Sequence, residues 1–450
     1  MIKDKRIISI FARTVVGFWI TLLVFNVVAT PFLVRANQST SSIDASLNNG
    51  ILYLESVQNT SIAHKGEFAT YCWLLPDQSD KEYNYSVFTT PFILHTLNLL
   101  SLMFPHLTQV RTMAYENMRS MAAGFLMNNI ETLDGHTGVW RFYPGNPLPP
   151  DFCDTCCNLE SVLSFNASLW EHPISNDLTD YFLTYRRPSG AFCTWFLPMN
   201  TDVCASTNAN TLFFYASRNE EQKVQTTMDW LNERIRLMLL GLPYDASYYR
   251  SPYAFMYLAT RAYADGGAST FLNASQREKM RHYILSNQQT DGSWPFYPGY
   301  VGTEDELETS LAIVSLVNLG FGELNASERA KVKNGIDYLL TEQNSDGSWP
   351  CASFYEGPRP KIYYGSNELT TSIAMEALAK YSAVSVGGVF FAVDKPETSI
   401  PNTTFVLTVV ATLATLWTAV HVRHTGKKAL AHAQRQNSIL CFSFHKSAIF

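Results

Sequence analysis

The sequence predicts an all-α fold: an (α/α)6 toroid of six inner and six outer helices, flanked by N- and C-terminal transmembrane helices. Three observations carry this. First, glycine–aromatic turns recur in matched registers. Gly138-Val139-Trp140 precedes Thr155, and Gly292-Ser293-Trp294 precedes Thr309, by 17 residues from Gly to Thr in each case. Gly66-Glu67-Phe68 to Thr90 and Gly347-Ser348-Trp349 to Thr371 both span 24. Such registers mark one supersecondary unit repeated along the chain. Second, amphipathic segments alternate with shorter ones that are apolar or small all round. A helix apolar on every face must be buried on every side, so the second kind is enclosed by the first. Third, the chain is 46% apolar and 16% charged, which suits a globular core.

Taken in order, residues 36–47 are polar and Ser-rich, a linker. An outer helix at 45–59 ends in Gln58-Asn59, and an inner helix at 87–103 is entered by Ser86. The next outer helix, 108–130, ends in Asn128-Asn129, and Asp151 opens the inner helix 152–165. Outer 176–187 leads through a fainter turn, Gly190-Ala191-Phe192, to inner 205–217 with Asn208-Ala209-Asn210-Thr211. Outer 221–240 precedes inner 252–264. Outer 275–287 ends in Asn287-Gln288-Gln289 before Asp291-Gly292, and Asp305 opens inner 306–319. Outer 329–343 ends in Gln343-Asn344 before Asp346-Gly347, and Asn367 opens inner 368–382. The Asp-Gly pairs break the chain because glycine takes positive φ freely. Ser86, Asp151, Asp305 and Asn367 are all N-cap formers, and Asp305-x-x-Glu308 fits an acidic capping box.

Two segments are long and uncharged enough to span a bilayer, 14–34 and 402–422, the latter inside a run from Thr398 to Val422 without Asp, Glu, Lys or Arg. Basic clusters lie outside both. Residues 1–13 carry +3 and 423–450 carry +5, so within the net −6 the middle carries −14. The positive-inside rule then expects both termini cytosolic and the body, residues 48–383 with linkers at 35–47 and 384–401, in a secretory lumen or outside the cell. A long signal peptide is the other reading of the first segment. Sequons at Asn37, Asn59, Asn84, Asn166, Asn273, Asn325 and Asn402 all fall between the two segments and make glycosylation sites of a luminal body. Of eight cysteines, seven lie between the segments, an odd number, and Cys193 and Cys204 flank a short loop that a disulfide could close. An acidic body does not suit nucleic acid.

The runs Asn287-Gln288-Gln289-Thr290-Asp291-Gly292-Ser293-Trp294 and Glu342-Gln343-Asn344-Ser345-Asp346-Gly347-Ser348-Trp349 resemble the QW repeats of squalene and oxidosqualene cyclases. The wider superfamily includes the β subunits of protein prenyltransferases. The resemblance covers residues 48 to 383 and implies a toroid that binds an isoprenoid or other apolar lipid, possible cyclisation by acid-initiated chemistry, and an apolar partner at the membrane. Type II cyclases use the middle Asp of D-x-D-D-T as proton donor. Two sites are similar: Asp151-Phe152-Cys153-Asp154-Thr155 and Asp305-Glu306-Leu307-Glu308-Thr309. In both, the middle position is not an acid. By resemblance, Asp151 or Asp154 would be the acid, and Asp305 or Glu308 a second polar group. Helix capping is the competing account of all four.

The prenyltransferase branch uses zinc on Asp, Cys and a distant His. Asp151-x-Cys153 and Asp202-x-Cys204 supply only the first half, and no body histidine stands at the matching distance, so neither metal nor cofactor is expected. Trp140-Arg141-Phe142-Tyr143 parallels Trp294-Pro295-Phe296-Tyr297. Trp140, Phe142, Tyr143, Phe296 and Tyr297 are candidate cavity rings, able to stabilise a carbocation by cation–π attraction. Arg141 would meet an anionic group or pair with Asp151 or Asp154. The rival reading is a non-catalytic toroid that binds a lipid, glycan or protein partner, having lost the proton donor.

Overall fold

The computed structural model describes residues 42–74, 77–170, 172–197, 200–249, 251–296, 305–357 and 362–385. After a first helix, α1, over 42–57, come α2 (Thr89–Met103), α3 (Pro105–Gln109), α4 (Thr112–Asn128), α5 (Phe152–Phe165), α6 (Leu178–Leu183) and α7 (Ala205–Ser217). They are followed by α8 (Gln225–Leu239), α9 (Pro252–Ala264), α10 (Ala274–Ser286), α11 (Glu306–Asn318), α12 (Ala326–Glu342) and α13 (Asn367–Ser385). Helices α2, α5, α7, α9, α11 and α13 pack each on the next, and α13 returns to α2, so the inner ring closes. The other long helices lie outside it.

The difference between the two rings is visible residue by residue. Every residue of α11 from Glu306 to Asn318 is buried. In α12 only Val332, Gly335, Ile336 and Leu339 are, one stripe at helical spacing.

The matched registers have a hydrogen-bond origin. In five of the six repeats the backbone N–H of the turn aromatic donates to a side chain one turn into the following inner helix. Trp140 N donates to Thr155 Oγ1 at 2.9 Å, and Trp294 N to Thr309 Oγ1 at 2.9 Å. Phe68 N reaches Thr90 Oγ1 at 3.1 Å, and Trp349 N reaches Thr371 Oγ1 at 3.0 Å. In the fainter copy Phe192 N finds Asn208 Oδ1 at 2.7 Å. A buried N–H without an acceptor is costly, so the Thr position is held wherever the turn is used.

The turn also fastens neighbouring repeats. Trp294 Nε1 donates to Ile284 O, and Trp349 Nε1 to Leu339 O. These carbonyls lie in the last turn of an outer helix, where intrahelical donors run out. Gln288 Nε2 bridges Gly292 O and Lys331 O, and Gln343 Nε2 bridges Gly347 O and Ser46 O. Gly292 has φ 98°, and a Cβ there would stand 2.6 Å from Asn334 O on the next outer helix. Both facts demand glycine. Beneath the Trp294 ring, Gly335 leaves room that a Cβ would fill to within 2.6 Å.

The seam between first and last repeats is closed twice. Ser46 Oγ donates to Gln343 Oε1 at 2.8 Å. Strands β1 (Thr70–Trp73), β2 (Glu82–Asn84), β5 (Tyr355–Glu356) and β6 (Tyr363–Gly365) form an antiparallel sheet in the order β2-β1-β6-β5, with Cys72 opposite Tyr364. A separate hairpin pairs β3 (Glu131–Leu133) with β4 (His136–Val139). These small sheets are the departure from an all-helical chain. Their strands are two to four residues long, too short for a period-2 pattern to stand out.

The expected membrane placement is corrected. Among the described residues no helix is long and apolar enough to cross a membrane. The segments 14–34 and 402–422, and the basic ends beyond them, lie outside the described residues. The expectation of flanking transmembrane helices and of a luminal body is therefore withdrawn. Five of the sequon asparagines also make local hydrogen bonds. Asn273 and Asn325 are N-caps with complete capping boxes. Asn59 and Asn166 accept from the N–H two residues on, and Asn84 donates toward Cys72 Sγ. Asn37 and Asn402 lie outside the described residues. The bridge that the short Cys193–Cys204 loop would allow is not formed: all seven described cysteines are free, Cys193 donates to Asn200 O, and Cys204 is buried at the start of α7.

Candidate active site

At the N-terminus of α5, the chain arrives extended at Asp151, with φ −134° and ψ 157°. Its Oδ1 accepts the Asp154 N–H at 2.9 Å, so Asp151 is the helix cap. Asp154, on the first turn, is buried at 3% exposure beside it. Burial raises Asp151 to about 6, opposed by its hydrogen bonding to Asp154. Burial, and next the charge of Asp151, push Asp154 well above the usual carboxylic range. Two adjacent buried carboxyls cannot both ionise, so near neutrality Asp151 carries the charge and Asp154 keeps its proton. The electropositive helix end favours that charge on the capping group.

Cys153 occupies the place between them. Its Sγ lies 2.9 Å from Tyr249 Oη and receives Asn210 Nδ2 at 3.4 Å. Hydrogen bonding with Cys157, then burial, raise the Cys153 thiol well above its ordinary value. Cys153 is therefore held as the thiol.

Aromatic rings close the space above this turn. Phe354 and Tyr355, from the approach to and start of β5, sit among residues of several repeats. Tyr355 stacks on Phe142 at 5.2 Å and on Tyr248 at 5.7 Å. Phe354 lies edge-on to Phe92 and Tyr249, both at 5.2 Å. Tyr143 Oη and Tyr364 Oη share a hydrogen bond of 2.6 Å. The charge of Asp151 reaches Tyr355, which is buried.

The second acidic turn has a different form. Asp305 stands at the N-cap position of α11 but makes no side-chain capping bond. Its oxygens take Phe296 N at 3.2 Å and Gln289 Nε2 at 2.8 Å, so it ties the preceding loop rather than the helix. The expected capping box with Glu308 is not formed. Glu308 is buried at 1% exposure and accepts Ser251 Oγ from the neighbouring repeat. Burial raises it to about 8. A carboxyl raised in the fold keeps its proton where the unfolded chain has released it. Stability from this group therefore falls as pH rises from about 4.5 to about 8. Glu308→Gln is expected to make the chemical-denaturation midpoint less sensitive to pH over that window. An unchanged slope would show that Glu308 does not titrate there.

The remaining expected site residues divide sharply. Phe142 and Tyr143 are at the aromatic mouth. Trp140 is fully buried and donates Nε1 to Leu126 O, a packing role. Arg141 pairs with neither Asp151 nor Asp154. Its guanidinium grips Glu131 through two bonds of 2.5 Å and also donates to the carbonyls of Asn146 and Leu148. It is committed before any anion arrives. Phe296 is half-buried beside Asp305, and Tyr297 lies outside the described residues. Asn367 was expected to cap α13, but Ser366 Oγ takes the Leu369 N–H while Asn367 donates to Trp349 O.

Sequence reasoning missed a second polar cluster, along the inner helices well past their first turns. Arg261 of α9 lies under the rings of Phe213, Tyr257 and Phe92 at 4.6, 5.1 and 5.7 Å. Glu160 of α5 accepts from His95 Nδ1 of α2 at 3.1 Å and sits 3.7 Å from Arg261. Lys380 Nζ contacts Asp265 at 2.6 Å, Glu376 at 3.1 Å and Asn318 at 3.0 Å. His95, Asp265 and Glu376 come close enough together to hold a metal ion, but the Lys380 ammonium already bonds two of the three. The signal was there to read: charged residues inside otherwise apolar inner-helix segments.

The Gly–Trp turns and the closed double ring frame the comparison with known proteins. The fold is a terpene-cyclase-like α/α toroid. The type II terpene cyclase MstE from Scytonema superposes with a TM-score of 0.54 at 15% identity, over 76% of this chain and 98% of that one. The fold is shared more widely: an unsaturated glucuronyl hydrolase specific for heparin superposes with a TM-score of 0.51 at 12% identity, over 77% and 98%. In sequence, the terpene-cyclase-like toroid is 32% identical over 100 residues to drimenyl diphosphate synthase of Streptantibioticus cattleyicolor, 22% of this chain and 17% of that protein. It is 23% identical over 250 residues to drimenol cyclase drtB of Aspergillus calidoustus, 53% of this chain and 41% of that protein. The matches thus cover less than half the length of either relative. No family model matches the chain.

Proposed function

We propose that this toroid binds an isoprenoid between its inner helices and starts its cyclisation by proton transfer from Asp154. The observation that carries the reading is the buried Asp151–Asp154 pair on the first turn of α5, under the aromatic mouth. Asp154 keeps its proton at neutral pH and Asp151 stays charged beside it. In the proposed step the Asp154 O–H breaks as its proton adds to a substrate alkene carbon. The resulting tertiary cation is attacked by the next alkene of the chain, and a proton lost at the end restores neutrality. The rings of Phe142, Tyr249, Phe354 and Tyr355 present π faces to that cation. Phe354 and Tyr355 would give up space to the substrate.

Support comes from what similar proteins are. A variant of MstE has been solved in complex with geranylgeranyl dihydroxybenzoate as substrate, and the two curated relatives are a drimenyl diphosphate synthase and a drimenol cyclase. Cys153 in the middle position is the departure. It leaves Asp154 as the protonated carboxyl of the turn.

The test is incubation of the purified full chain with squalene, oxidosqualene, prenyl diphosphates and geranylgeranylated phenols, with products read by mass spectrometry. A cyclic product is expected, reduced at least 100-fold in Asp154→Asn while the melting temperature stays near that of the parent. Full activity in Asp154→Asn would remove Asp154 from the mechanism. No product from any substrate would leave the non-catalytic binding barrel as the reading.

A further inference from the structure

A cavity of about 530 Å³ opens between α1, β1–β2 and the start of α13, away from the aromatic mouth. Three tyrosine rings wall it: Tyr53 from α1, Tyr71 from β1 and Tyr83 from β2. Tyr71 and Tyr83 stand edge to face with centroids 6.4 Å apart. Two carboxyls, Glu67 and Glu368, complete the wall, and both are nearly sealed from solvent at 1% and 5% exposure. Tyr83 Oη donates to both oxygens of Glu67, at 2.8 and 2.9 Å, which fixes the carboxylate toward the cavity wall.

The charge balance of this cavity favours a cation. Desolvated carboxyls are stabilised by an opposite charge that arrives without its water shell. Tyrosine faces attract the same kind of group, most strongly when it is an alkylated ammonium. An ammonium already takes such a position: Lys81 Nζ lies over the Tyr71 ring, 5.4 Å from its centroid. Lys81 is exposed, so its ammonium is a loosely held tenant. His64 Nδ1 lies 3.4 Å from Glu67 on the other side.

We infer that this cavity is a binding site for a small organic cation of the alkylammonium class, held by the Tyr53, Tyr71 and Tyr83 rings and by Glu67 and Glu368. Lys81 is its internal competitor. The site is independent of the acid pair on α5 and of the proposed cyclisation.

Titration of the full chain with tetramethylammonium chloride tests this, read by isothermal calorimetry and by saturation-transfer NMR of the methyl protons. Sodium chloride at equal ionic strength is the reference. Saturable binding is expected. It should tighten severalfold in Lys81→Ala and weaken at least tenfold in Glu67→Gln. Lys81 is on the surface, so that variant is expected to fold even if a buried substitution does not. Absence of binding in both the parent and Lys81→Ala overturns the inference. So does binding of equal strength in Lys81→Ala, Glu67→Gln and the parent.

Discussion

Lys380→Ala is expected to cost the fold about 3–5 kcal/mol, the penalty for stranding a buried charge by removing its partner. The lysine is fully buried, and its ammonium is shared by Asp265, Glu376 and Asn318. Burial by itself would raise Glu376; Lys380 first, then His95 and Arg261, bring it down to about 2. The sign of the pH dependence follows. A carboxyl depressed in the fold contributes stability above its unfolded value, and that stability is lost as pH falls from about 4.5 through about 2. Urea denaturation of the parent should therefore show a steep acid limb. In Lys380→Ala the limb should flatten, because Glu376 no longer has the partner that depresses it. The triple variant Lys380→Met, Glu376→Gln, Asp265→Asn should recover much of the loss, since a neutral, filled site replaces an unpaired one. A cost below about 1 kcal/mol for Lys380→Ala would mean that water reaches the carboxylates.

Trp349→Ala should be as damaging, about 3–5 kcal/mol by loss of a large buried ring. The indole is fully buried. It also serves the last turn of α12 through Leu339 O, while its backbone N–H is held by Thr371. The expected signature is a drop in thermal midpoint far larger than that of Thr371→Ser, which keeps the hydroxyl that accepts the Trp349 N–H. Similar midpoints for the two variants would show that the ring contributes little beyond the hydrogen bond.

Both variants probe features that the sequence announced unequally. The Trp turn was fully legible. Its Gly, its aromatic and its Thr recur because every such turn must satisfy the same buried N–H and admit the same close helix approach. The lysine was not legible as part of a network. A charge inside an apolar segment has a meaning only once its neighbours are known, and those of Lys380 come from the C-cap of α9, from α11 and from α13.

The acid motifs show the same limit. Asp151 and Asp305 stand at equivalent positions before an inner helix, and capping chemistry treats them alike. In the fold only Asp151 caps. Asp305 turns to the preceding loop, where Phe296 N and Gln289 offer donors. Arg141, one residue from the aromatic mouth, was equally open until Glu131 claimed it across the β3–β4 hairpin.

What the sequence alone determined was periodic: six inner and six outer helices, their order, and the turns that join them. Repetition and amphipathicity are local properties, and a chain of this length displays them many times over. Tertiary structure alone decided where each polar group spends its hydrogen bonds. It kept the proton on Asp154 by burying it against Asp151, made Arg141 a structural cation, and placed Glu67 and Glu368 in one aromatic-walled cavity. Those outcomes depend on desolvation and on partners far away in the chain, which no local pattern encodes.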